Sequence, residues 1–339
     1  MKAEYKVGII GCGKILVRHL EAIDRNKNFE LVSLCDLDQN IVDLEASKRG
    51  VSGYVDYRDM LSKEDINFVV IATPNSLHYS QAKYCLENSC DVLVEKPACL
   101  DHNLIQELKT IADANRQKAH CVLQVRLNPV VSFTKELLES NLLGKIRGIS
   151  LTQRWQRPKE YFQNWRGIPT VGGGTLHECG IHYLDIMCYL FGKPKVQSSL
   201  LYNTKHVDFP IEDTVYSLVD FGSFGGTIEV TIASEPTNIE CTISILAENG
   251  YIELGGKALD KVIKSEFVDK DVEKQYKEKI KLLENPKESN SYGNYKGSCP
   301  NHPELYSNLD SFMITESENC LSLITEIYEK SGVKYYEQT

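Results

Sequence analysis

The feature that most restricts this chain is a series of short, almost unbroken apolar runs. Each ends in residues that turn the backbone or carry charge. Tyr5 to Ile10 leads into Gly11-Cys12-Gly13, Asn67 to Ala72 into Thr73-Pro74-Asn75-Ser76, and Val92-Leu93-Val94 into Glu95-Lys96-Pro97. Runs this short without alternation are strands covered on both faces, as in a parallel sheet flanked by helices. Between them the spacing is helical, as at Ile15, Leu16, His19, Leu20 and Ile23, and a helix is expected from Asp101 to about Arg116. With Phe29–Cys35 and Ala119–Val125 as further strands, the first part of the chain predicts an α/β fold with a doubly wound parallel sheet.

In such a sheet the chemistry collects where strands end. Gly11 allows a tight turn. Gly13 lets the backbone approach a pyrophosphate at the start of the next helix, with Lys14 and Ile15 in the same turn, although Leu16 holds the third glycine position. Asp36, 23 residues beyond Gly13, is placed to accept hydrogen bonds from an adenosine ribose, which favours NAD over NADP; the alternative is that it caps the helix starting near Asp38. Thr73 and Asn75 are expected to face the cofactor. His78, in the first turn of the following helix, suits packing or capping as well as that site. Lys96 is a compact cation at a strand end, suited to holding a substrate hydroxyl beside a cofactor. The bland reading is a surface Glu-Lys pair. A cis Lys96-Pro97 bond would suit the turn.

Beyond Gln124 the pattern changes. A helix through Val130, Phe133, Leu137 and Leu138 precedes strand-like runs at 146–155, 195–202, 214–221, 226–232, 240–246 and 251–254, whose alternating polar positions predict an antiparallel sheet with one covered face. Domains are therefore expected at 1–123 and 124–339. The charged stretch 261–287 reads as peripheral helix or strand, and 288–298 as a long loop and candidate substrate lid. Gly172-Gly173-Gly174 opens a helix on which Glu178, His182 and Asp185 are spaced to share a face, the arrangement of a histidine general base tuned by carboxylates. Of the ten arginines, five (Arg126, Arg147, Arg154, Arg157, Arg166) fall between 126 and 166, amid Trp155, Tyr161, Phe162 and Trp165. This combination suits an anion site with sugar or base stacking; a solvated sheet face is the plainer reading.

Composition narrows the class. A net charge of −9 and a pI near 5.5 argue against a nucleic-acid surface, and no apolar run reaches the roughly 20 residues of a membrane span. No apolar leader precedes the first strand, so a cytoplasmic protein is expected. Eleven cysteines scattered among apolar runs read as reduced buried thiols. No metal site is expected, because Cys85 and Cys90 are isolated and His177 and His182 lie five apart, on different helix faces.

Gly11-x-Gly13, Asp36, Thr73-Pro74-Asn75, Glu95-Lys96-Pro97 and Gly172-Gly173-Gly174 with His182-x-x-Asp185, in this order, resemble the Gfo/Idh/MocA oxidoreductase family along nearly the whole chain. The resemblance implies an N-terminal Rossmann domain, a C-terminal α/β domain whose large, mostly antiparallel, open-faced sheet often makes oligomers (here a dimer or tetramer), and an NAD cofactor. It gives Lys96 the substrate hydroxyl and nicotinamide ribose, makes His182 the acid/base with Glu178 and Asp185 as assistants, and adds Glu95 and Gln124 to the cofactor contacts. Within the family, Gln124 to Pro129, Trp165-Arg166-Gly167 and Tyr295 to His302 look like the UDP-N-acetylglucosaminuronate 3-dehydrogenases of bacterial surface-polysaccharide (O-antigen) pathways, with Asn128 where a histidine is frequent. That implies a UDP-linked nucleotide sugar held by Arg126, Asn128, Tyr161, Trp165, Arg166, Ser298, Asn301 and His302. An inositol or free-sugar dehydrogenase, and a silent NAD-binding regulator, are the alternatives.

Overall fold

A computed structural model describes residues 3–283, 291–292, 295–296 and 301–333. These form two compact units: residues up to Gln124 together with those from 291 to Glu318, and Val125 to 283 together with 319–333. The second domain expected from sequence, 124–339, is thus interrupted, because the 301–318 segment returns to the first unit. Tyr306 explains the return, its ring packing edge-on against Phe29 at 5.0 Å.

The first unit carries six parallel strands: β1 (Tyr5–Ile10), β2 (Phe29–Cys35), β3 (Ser52–Tyr54), β4 (Phe68–Ile71), β5 (Asp91–Val94) and β6 (Ala119–Cys121), in the order β3-β2-β1-β4-β5-β6. Helices α1 (Leu16–Arg25), α2 (Gln39–Arg49), α3 (Tyr57–Lys63), α4 (His78–Glu87) and α5 (Leu104–Asn115) connect them. β4 is wholly buried, which is why its sequence shows no alternation. β6 stops at Cys121, short of the expected Val125, and Gln124–Leu127 forms a 3-10 turn. Its neighbour β5 has by then run into Pro97, which has no N–H to offer a ladder. The order reverses between β1 and β4, and at such a switch point open sheets bind ligands beyond the strand ends.

The second unit opens with α6 (Pro129–Glu139) and builds a seven-stranded sheet from β7 (Ile146–Arg154), β8 (Lys195–Tyr202), β9 (Thr214–Asp220), β10 (Gly225–Thr231), β11 (Glu240–Ala247), β12 (Gly250–Gly255) and β13 (Lys261–Phe267). The order is β13-β12-β11-β7-β10-β9-β8, antiparallel except for the parallel β7–β10 pair. The charged stretch thus supplies both a strand, β13, and a helix, Lys270–Leu283. Within the stretch expected as a loop, Ser291–Tyr292 and Tyr295–Lys296 pair as short antiparallel strands. Alternation sorts the large sheet: Ile149, Leu151, Ile228, Val230, Ile243 and Ile245 are buried, whereas Leu200, Tyr216 and Leu218 are exposed. No helix among the described residues is long and apolar enough to cross a membrane.

Candidate active site

In the first unit the β1 turn fits a dinucleotide. Gly11 has φ +105°, and a Cβ there would lie 2.4 Å from the Ala72 carbonyl oxygen, so only glycine lets this turn meet the end of β4. A Cβ on Gly13 would meet nothing within 4 Å, which leaves open space over the turn that Gly13, Lys14 and Ile15 make before α1. Asp36 reaches back to this turn, its Oδ2 accepting from the Cys12 N–H at 2.8 Å. Capping of α2 falls to Asp38, which accepts from the Asn40 and Ile41 amides, so Asp36 is not spent as the cap. Half-buried beside the glycine turn, Asp36 has the acceptor chemistry that a ribose diol requires. Asp36→Ala is expected to raise the NAD dissociation constant about 10- to 100-fold, the loss of about 1.5–3 kcal/mol of hydrogen bonding to a charged group, with a smaller change for NADP. Titration calorimetry with both nucleotides checks this; equal losses for the two would remove Asp36 from ribose recognition.

The other strand ends adjoin that switch point. Thr73 donates to Gln81 at 2.6 Å, and Asn75 is buried in a 3-10 turn leading into α4. His78 is fully buried, its nitrogens 2.7 Å from the Pro97 carbonyl and 2.8 Å from that of Thr73. Burial pushes its pKa down, against the pull of both carbonyls, and the ring acts as a strut joining the turns after β4 and β5. The Lys96-Pro97 bond is cis. Lys96 is half-buried, and its backbone N–H donates to Glu95 Oε2 at 3.2 Å.

Glu95 itself is buried with His19 and His302, whose Nε2 atoms lie 3.1 and 3.5 Å from Glu95 Oε1. Burial alone would raise the Glu95 pKa; the His19 hydrogen bond and the adjacent His302 imidazole hold it well below the ordinary carboxylate range. His302, expected from sequence to meet a substrate, is 0% exposed and turned toward Glu95. Asn301 donates to the Gln124 backbone carbonyl at 3.1 Å, and the Gln124 side-chain oxygen is buried with no partner among the described residues. Ser298 lies outside the described residues.

In the second unit, Leu176–Gly180 forms a π-helical turn that continues into an α-helix, Ile181–Phe191. A π turn carries i→i+5 bonds, so the four-residue spacing of Glu178 and His182 no longer implies a common face; such turns favour functional sites. Glu178 Oε1 accepts from the Tyr161 hydroxyl at 2.5 Å and from Arg166 Nε at 2.7 Å. Burial and the Glu178 charge push the Tyr161 pKa well up, so it remains a hydrogen-bond donor. The Arg166 guanidinium also lies over the Trp165 ring at 4.3 Å. Asp185, expected to tune His182, forms a two-point ion pair with Arg126 at 2.9 and 2.7 Å, and both side chains are buried. That pair occupies a guanidinium expected to hold a substrate anion. Asn128 is likewise buried and donates to the Ala258 carbonyl. From 181 to 188, His182 alone is not fully buried.

The family description "Oxidoreductase family, NAD-binding Rossmann fold" matches residues 5–126, and "GFO/IDH/MocA C-terminal domain" matches residues 131–253. The chain belongs to the Gfo/Idh/MocA oxidoreductase family. Its similar proteins include Oxidoreductase P35 of Formosa agariphila, 30% identical over 57% of this chain, and glucose-6-phosphate 3-dehydrogenase of Bacillus subtilis, 27% identical over 58%. The matched stretches span 62% and 56% of the lengths of those two relatives. Among solved structures, the WlbA dehydrogenase from Chromobacterium violaceum, in complex with NADH and UDP-GlcNAcA, is 25% identical with a TM-score of 0.87, over 98% of this chain and 94% of that one. The WlbA dehydrogenase from Bordetella pertussis, in complex with the same two molecules, is also 25% identical, with a TM-score of 0.82 over 97% of each chain.

For this Gfo/Idh/MocA member the first unit is an NAD-binding Rossmann domain, and the Gly11–Gly13 turn with Asp36 fits the cofactor. Sequence reasoning overlooked Glu212. It is buried, accepts from the Thr175 amide at 2.7 Å and the Tyr328 hydroxyl at 2.6 Å, and so satisfies the start of the His182 helix. A Cβ on Gly174, at φ +77°, would lie 2.6 Å from the Tyr328 hydroxyl, so this glycine serves close packing. In the sequence His19 stands out only as one position of a helical face. No local signal in the sequence marks either residue, because their partners lie far along the chain.

Proposed function

We propose that this protein oxidises a sugar hydroxyl to a ketone with NAD, at C3 of UDP-N-acetylglucosaminuronate, in bacterial surface-polysaccharide biosynthesis. The observation carrying this reading is the likeness to the WlbA dehydrogenase of Chromobacterium violaceum, which spans nearly all of both chains and whose complex holds NADH and UDP-GlcNAcA. In this reading His182 takes the proton from the sugar hydroxyl, and the Lys96 ammonium stabilises the oxyanion as it develops. NAD supplies the hydride acceptor. The partly exposed Arg166, stacked on Trp165 and backed by Tyr161, is the guanidinium for the anionic part of the substrate. Arg126 serves the interior. A homo-oligomer joined through the open sheet face is favoured by Leu200, Tyr216 and Leu218 on that face.

The test supplies NAD with UDP-N-acetylglucosaminuronate, UDP-N-acetylglucosamine, glucose 6-phosphate or myo-inositol, and follows bound and released NADH by absorbance. The uronate nucleotide is expected to exceed the others in kcat/KM by about 100-fold or more, because a site built to pair a sugar carboxylate is left with its donors unpaired by substrates that lack that carboxylate. Comparable turnover of glucose 6-phosphate or inositol would transfer the assignment to a free-sugar or inositol dehydrogenase. Failure of every sugar would favour a silent NAD-binding regulator.

A further inference from the structure

We propose that His19, Glu95 and His302 form a positioning cluster that sets the backbone at Lys96, and that His302 acts through Glu95 rather than on a substrate. The inference rests on the role given above to Lys96. Its geometry lies wholly within the first unit. Glu95 is buried, and its two oxygens are divided: Oε1 takes His19 Nε2 at 3.1 Å and faces His302 Nε2 at 3.5 Å, while Oε2 accepts the Lys96 N–H at 3.2 Å. The far nitrogen of His19, Nδ1, lies 2.9 Å from the Tyr306 hydroxyl. With Nε2–H donating to the carboxylate, Nδ1 accepts from Tyr306, so the ring has one tautomer and one orientation. The two imidazoles meet edge to face, 5.3 Å apart at 89°.

Three segments are thereby joined at one carboxylate: α1, which follows the glycine turn; the end of β5; and the His302–Tyr306 helix. A buried carboxylate is costly unless its lone pairs are filled, so removing one donor displaces Glu95 or draws in water, and the Lys96 amide follows. Neither ring nitrogen of His302 has a hydrogen-bond partner among the described residues, and the ion-pair contact of its Nε2 is with Glu95 Oε1 at 3.5 Å, so its polar reach is toward Glu95.

The same three ligand atoms lie within 4.8 Å of one another, a set that zinc also uses. The fully buried Arg18 guanidinium, whose charge acts on the His302 ring, disfavours a second cation there. The hydrogen bonds of Glu95 to His19 and to the Lys96 amide, with His302 Nε2 alongside at 3.5 Å, account for the cluster without one.

The test compares His302→Leu, which removes the donor, with His302→Gln, whose amide nitrogen can take the place of Nε2. Trinitrobenzenesulfonate labelling of the folded proteins, read peptide by peptide, reports the Lys96 ammonium without requiring sugar turnover. His302→Leu is expected to change the Lys96 labelling rate about threefold or more with exposed Lys27 unchanged, and to lower kcat about tenfold or more at an unaltered NAD dissociation constant. His302→Gln is expected to restore both. Unchanged Lys96 labelling in folded His302→Leu protein, or His302→Gln behaving like it, overturns the proposal. So does one equivalent of zinc in the purified protein by elemental analysis. If the labelling shift appears but no sugar is oxidised, the positioning stands and the proposed reaction falls.

Discussion

Lys96→Ala and His182→Ala are each expected to lower kcat by about 100- to 10,000-fold, the range for removing a positioned acid–base or charge-stabilising group. The dissociation constant for NAD is expected to stay within about threefold of the parent, because the groups assigned to the adenosine and pyrophosphate, Asp36 and the Gly11–Gly13 turn, are untouched. The two losses have different causes. Lys96 follows the end of β5, and in the proposed reaction its ammonium stabilises charge that appears only as the hydroxyl is deprotonated, so its loss is expected to fall on kcat more than on KM. His182 is the one residue of 181–188 that is not fully buried, in a helical segment that begins in a π turn, and in the proposed reaction its loss removes the proton acceptor. Steady-state kinetics with the preferred sugar and calorimetric titration of NAD separate the two effects. Near-normal turnover in either variant excludes that residue from the chemistry, and a parallel collapse of NAD affinity would make its role one of cofactor binding.

Arg126→Ala is expected to destabilise the second unit by about 3–5 kcal/mol, because it leaves the Asp185 carboxylate buried without its counter-charge. Replacing both partners together, Arg126→Met with Asp185→Leu, is expected to recover most of that loss, since well-packed apolar groups need no such compensation. Both tryptophans of the chain, Trp155 and Trp165, belong to this unit, so their fluorescence during urea unfolding reports its stability directly. If Arg126 instead held the substrate's anion, the single variant would keep its unfolding midpoint and raise KM for the sugar.

How far such roles can be read before folding differs from residue to residue. The position of Asp36 beside the glycine turn was legible because the distance from such a turn to the end of the next strand is set by the length of one helix, and its carboxylate accepts from the Cys12 amide in that turn. The seven strands of the second sheet announced themselves by alternation, apart from β13, whose lysines and glutamate mask it. Arg126 and Arg166 were grouped as anion ligands on type and neighbourhood. Folding sets Arg126 against Asp185, 59 residues away, and divides Arg166 between Glu178 and an indole face. The shared face expected for Glu178 and His182 assumed a regular α-helix, and the π turn at Leu176–Gly180 changes that register.

The division follows from the range of the forces. Runs of β-branched residues, glycines that permit left-handed turns, and helical spacing act over a few positions, so the parallel sheet, the dinucleotide turn, the strand-end lysine and the antiparallel second sheet were written in local sequence. A buried polar group must find a partner wherever the chain brings one, and that partner is chosen by packing rather than by spacing. His19 meets Glu95 across 76 residues, and Glu212 meets the Thr175 amide across 37. Only the assembled units reveal which charges are spent on holding the framework and which remain to do chemistry.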